Sequence, residues 1–97
     1  MDNKLQSLIA DGERLRADFM QADLKLGLTF ANLARSEADA GEMPHALQSL
    51  RRAARAAETV ARLLAETTTL GWQQQKQMED DLKKLNTALA EVREQIS

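Results

Sequence analysis

His45 is the one histidine of the chain, and Glu42 stands three residues before it. Helical di-iron bundles use such Glu-x-x-His pairs twice over, because a carboxylate and an imidazole one turn apart can reach the same ion. The second copy is missing here, and Pro44 falls inside the motif at a turn, so the residues describe a solvated turn histidine and no metal is expected. A second group is cationic. Arg51, Arg52, Arg55 and Arg62 recur along one segment, and guanidinium forks match phosphate or carboxylate oxygens two at a time. That face could bind an anion or nucleic acid. Yet Glu58 shares the stripe, and the spacings Arg55 to Glu58 and Arg62 to Glu66 are those of ordinary ion pairs on a helix surface. Trp72, the one tryptophan, could anchor a partner, although a tryptophan closing the end of a core is the commoner arrangement.

Catalysis has little foothold. A nucleophile needs a base at hydrogen-bonding distance, and a chain with no cysteine and one turn histidine cannot assemble the usual pairs. Asp23, Glu79, Asp80 and Asp81 fall on polar helix faces, and no glycine-rich loop follows a strand. A non-enzyme without cofactors is therefore expected. The net charge of −2 argues against a chain devoted to phosphate backbones, which makes nucleic acid an unfavoured partner. Asp2, Lys4 and Asp11 interrupt the N-terminal apolar residues, leaving no stretch for a signal peptide or a membrane span. A cytoplasmic protein with no membrane partner is the expectation.

The elements that must position these groups are helical. The 97 residues fit one domain, 1–97, whose core falls to leucine, alanine and methionine, because 43% of residues are hydrophobic but only 3% aromatic. Apolar residues recur at steps of three and four in three successive segments, predicting helix A over 3–40, helix B over 44–67 and helix C over 70–96. On helix A the stripe runs Leu5, Leu8, Ile9, Leu15, Phe19, Ala22, Leu26, Phe30, Leu33 and Glu37. Asn3, with Gln6 three residues on, can cap its start. Gly12 and Gly27 each cost about 1 kcal/mol inside a helix, with Gly12 the place for a break. Gly41 suits a left-handed C-terminal cap and Pro44 the first turn of the next helix. Helix B carries Ala46, Leu50, Ala53, Ala57, Val60 and Leu64, widened by Leu47, Ala54 and Ala61, so it must touch two neighbours. Thr67, Thr68, Thr69 and Gly71 then interrupt the pattern, with Gly71 able to cap helix B and a threonine to cap helix C; a continuous B–C helix is the alternative. Helix C presents Met78, Leu82, Leu85, Leu89, Val92 and Ile96. Met20, Met78, Phe19 and Phe30 are expected as core filler.

These elements predict an all-α fold, an antiparallel three-helix bundle with a long first helix. Residues 1–42 hold five basic and eight acidic groups, 43–71 four and two, and 72–97 four and five, so a basic middle helix lies between acidic ones. At about 1.5 Å per residue, helix A would span roughly 57 Å and the others about 37 Å. Its N-terminal part must then stay uncovered, with Leu5, Leu8, Ile9 and Leu15 on it. Either it breaks at Gly12 and folds back, or it pairs with a second molecule as a homodimer or with another helical protein.

The stretch TFANLARSEADAGEMPHALQSLRRAARA, residues 29–56, resembles one tetratricopeptide repeat. Phe30, Leu33 and Ala34 match its first helix, and Gly41, Ala46, Leu50 and Ala53 its glycine, small, bulky and small positions. The resemblance implies a close antiparallel hairpin and, through the concave arrays such hairpins build, partner binding. The chain departs from the pattern at Glu37, where an aromatic is usual, at Glu58, where the closing proline belongs, and in having no second repeat. The combined expectation is a protein-protein interaction or oligomerisation module; the alternative is an anion or nucleic-acid binder using the arginine face.

Overall fold

A computed structural model describes the backbone of residues 2–97 and the side chains of 4–97. The expected cap at Asn3 lies outside the described side chains. Three helices follow one another: α1 (Asp2–Asp39), α2 (Met43–Glu66) and α3 (Trp72–Ile96). The molecule is all-α and rod-like, 60 × 20 × 15 Å, its long axis being about the length of α1 itself.

α1 runs through Gly12 without the break or fold-back expected there. A cost of about 1 kcal/mol is small within so long a helix, and nothing lies within 4 Å of the place a Cβ would occupy on Gly12, so no packing demands a bend. Its other end stops as the sequence requires. Gly41 has φ +78°, its N–H donates to Ala38 O at 3.0 Å, and the Glu42 N–H donates to Glu37 O at 2.8 Å. This paired motif satisfies the last carbonyls of α1, and Pro44 then enters the first turn of α2, where its missing N–H leaves no bond unmade.

α2 and α3 are separate helices. Thr67 leaves the helical region at φ −94°, ψ 115°, while its backbone N–H and its hydroxyl both donate to Leu63 O, at 2.9 and 2.6 Å. The glycine and threonine caps expected at this turn do not form. Gly71 is extended at φ −60°, ψ 150°, a conformation any residue adopts, and it precedes α3 with no side-chain cap.

α2 lies antiparallel to α1, and α3 returns parallel to it: Arg35 pairs with Glu91 at one end, while Ala17 lies near Gln74 at the other. The core is built from Met20, Leu24, Val60, Met78, Leu85 and Leu89, closed at the α2–α3 turn by partly buried Leu70. On α3 the predicted stripe is the packed one, with Leu82 and Ile96 partly buried; α2 touches both neighbours, but Leu47 and Ala61, expected to widen its face, are exposed, and Ser49 and Ala56 are buried instead. On α1 the structure corrects the expectation. The buried row is Ala17, Met20, Leu24, Gly27, Ala31, Ala34 and Ala38, a heptad-spaced row lying about a third of a turn from the Leu/Phe row read from the sequence. The cause is the partner surface. α2 offers Ala46, Ala53, Ala56 and Ala57, and two small-residue faces approach closely enough for continuous contact, whereas leucines and phenylalanines would hold the helices apart. Gly27 sits at the tightest point: a Cβ there would come within 2.7 Å of Leu85 Cδ2 and 3.1 Å of Ala56 Cβ.

Candidate interaction face

Apart from buried Met20 and Leu24 and partly buried Leu28 and Phe30, the larger apolar residues of α1 remain outside this core. Leu5, Leu8, Leu15, Phe19, Leu26 and Leu33 are exposed, on a row that Gly12, Ala22 and Thr29 complete in steps of three and four. The four residues singled out for interaction, Leu5, Leu8, Ile9 and Leu15, are 63, 68, 53 and 69% exposed. Phe19, expected in the core, is exposed too, because it belongs to this row. Leu5, Leu8 and Leu15 are uncovered as the helix lengths predict, whereas Phe19, Leu26 and Leu33, expected to face the core, are exposed with them. The signal that distinguishes the two rows is side-chain size: only the small row matches the alanines of α2.

Toward α2 the row opens into an apolar groove floored by Phe19, Leu26, Phe30 and Ala56 and rimmed by Arg52 and Arg55. The Arg52 guanidinium lies 5.5 Å from the centre of the Phe30 ring, a contact that contributes about 0.5–1 kcal/mol where water has access. Asp23 lines the same groove, and burial pushes its carboxyl above the ordinary value of 3.8.

Arg51, Arg52, Arg55 and Arg62 are all exposed, and none forms an ion pair within the described chain. The pairs expected with Glu58 and Glu66 are absent from the described ion pairs, and the one helix-to-helix ion pair joins α1 to α3 rather than to the basic α2. Arg35 Nη2 reaches Glu91 Oε2 at 2.8 Å, and beside it Gln95 Nε2 donates to Asp39 Oδ1 at 2.5 Å.

At the α1–α2 turn the structure assembles a group that the sequence did not reveal. His45 Nδ1 lies 3.7 Å from Glu42 Oε2, and the ligand-type atoms of Glu37, Glu42 and His45 all fall within 4.8 Å of one another. Glu37 became visible only once the hairpin set the last turn of α1 against the first turns of α2. Its Oε1 is already taken by the Ser49 hydroxyl at 2.6 Å, while Glu42 and His45 stand in solvent. Trp72 does not close the core. It is 75% exposed with Lys76 Nζ 5.6 Å from its ring centre, because six residues before Met78 is about a third of a turn off the buried row of α3.

Among the described residues no buried side-chain nitrogen or oxygen lacks a hydrogen-bond partner, and no helix is long and apolar enough to cross a membrane. Six of the ten exposed large apolar side chains among the described residues lie on the outer row of α1. Comparison with known protein families, with curated proteins and with solved structures returns no match for this chain, and its fold and surfaces are what carry a functional reading.

Proposed function

We propose that this chain is a non-enzymatic interaction module whose outer α1 face docks another helix, from a second copy or from another helical protein. One observation carries the reading: six large apolar side chains stand exposed in a single heptad-spaced row along a helix whose opposite side is already packed. Leaving such a row in water forgoes about 1.5–3 kcal/mol per fully covered side chain, and contiguous apolar patches of this kind mark association sites. The steps of three and four are those by which one helix receives the side chains of another. The tetratricopeptide-like hairpin of residues 29–56 agrees with this role. Phosphate or nucleic-acid binding by Arg51, Arg52, Arg55 and Arg62 is the lesser reading, since these side chains stand free but flank an apolar groove rather than a phosphate-shaped cavity.

Sedimentation velocity tests the proposal, with the chain alone and with a probe peptide, an amphipathic Leu/Ala helix with acidic flanks. The wild type forms a complex with itself or with the probe, and the variant Leu15→Lys/Leu26→Lys, both sites being exposed, keeps its helicity and forms neither. A wild type that stays monomeric and ignores the probe refutes the docking role.

A further inference from the structure

We propose, building on that reading of the outer α1 face, that its occupant is α1 of a second copy, lying antiparallel with Phe19 opposite Ala22 of its neighbour. When two helices pair antiparallel along a heptad row, the residues on each flank of the row meet the same flank of the other copy. One flank of this row carries Lys4, Asp11, Asp18, Lys25, Asn32 and Asp39. The other carries Ile9, Arg16, Asp23, Phe30 and Glu37, the last turned to α2 where its Oε1 accepts from the Ser49 hydroxyl.

In the stated register the charges complement one another. Asp18 faces Lys25 of the second copy and Arg16 faces its Asp23, each pair occurring twice by symmetry. Lys4 faces Asp39, and Ile9 faces Phe30. Along the centre Leu15 meets Leu26, Leu8 meets Leu33, and each Phe19 lies over the small Ala22. Sliding one copy by a heptad destroys this. One direction sets Asp18 against Asp18 and Arg16 against Arg16; the other sets Lys25 against Lys25 and Asp23 against Asp23. Parallel pairing places Asp18 beside Asp23. Like charges at such spacing oppose association, so the register with opposite charges on both flanks is favoured.

The four groups of the central pairs are available, while Asp39 already accepts from Gln95. Arg16, Asp18 and Lys25 are exposed and Asp23 half-buried, and the two ion pairs among the described residues, Arg35 with Glu91 and His45 with Glu42, use none of them. Because Phe30 and Asp23 lie on the α2 side of the row, the two α2 helices come alongside each other, where Glu58 and Glu66 are the acidic groups available to Arg52, Arg55 and Arg62.

Sedimentation equilibrium on the full chain and charge-swapped variants reads the register. The wild type sediments as a dimer of the 10.8 kDa chain. Asp18→Lys and Lys25→Glu each raise the dimer Kd about five- to tenfold, while Asp18→Lys/Lys25→Glu, which restores opposite charges, returns to within about twofold of wild type. A dimer in which the double variant is as weak as the single ones overturns the antiparallel register. A wild type monomeric to about 1 mM, whether or not it binds the amphipathic probe, overturns the second copy as occupant; binding of the probe then keeps the docking role, and its loss ends that too.

Discussion

α1 carries two apolar rows about two-fifths of a turn apart, and they behave oppositely. The inner row is mostly alanine with Met20, Leu24 and Gly27, and it is buried; the outer row is mostly leucine and phenylalanine, and it is exposed. Total hydrophobicity would have ranked them the other way. What selects the buried row is the surface it meets, since the alanine face of α2 rewards close approach and the summed dispersion contacts that follow from it. The bulkier row suits a looser joint between separately folded units, in which larger side chains fill a wider gap.

Substitutions can break this contrast or sharpen it. Leu85→Ala removes a fully buried side chain that reaches the inner row at Gly27, and it costs about 3 kcal/mol in urea unfolding; a loss under about 1 kcal/mol would place the core elsewhere. The two glycines form the next comparison. Gly27→Val drives carbon atoms into Leu85 and Ala56 and destabilises by about 2 kcal/mol, whereas Gly12→Ala, in open space on the outer row, stabilises by about 0.5–1 kcal/mol. Equal responses at the two sites in thermal melts would erase the distinction between the rows. The smallest effect belongs to Asp23. A carboxyl whose pKa is raised by folding holds its proton more readily in the folded chain, so its contribution to stability is fully present below the ordinary 3.8 and is lost as pH rises through the raised value. Asp23→Asn removes this dependence, so the variant gains on the wild type as pH rises from below 3.8 through the raised value, when melts are run dilute enough to keep the chain monomeric. A constant difference across that range would show the carboxyl to be solvated.

Much of the architecture was legible in the residues. Gly41 and Pro44 marked the first turn because each suits one backbone position there, and the single row of α3, with Met78, Leu85, Leu89 and Val92, had no competitor. α1 was misread because periodicity reports that a row exists but not which neighbour it will meet. Phe19 and Trp72 were placed inside on the strength of their size, and both stand in solvent. The candidate face was legible in part: the uncovered Leu5, Leu8, Ile9 and Leu15 followed from helix lengths, while their continuation through Phe19, Leu26 and Leu33 required knowing that α2 is satisfied by alanines. Glu37 beside His45 depends on residues from two helices and is invisible to any local pattern.

The turn at Gly41 bears on how the chain gets from coil to rod. Only Ala40, Gly41 and Glu42 separate α1 from α2, so bringing those helices together restricts a very short loop and costs little chain entropy compared with joining distant segments. The contacts of Arg35 with Glu91 and of Asp39 with Gln95 span 56 residues. They become inexpensive only after both short-looped hairpins have closed, so these long-range contacts add their share of stability last.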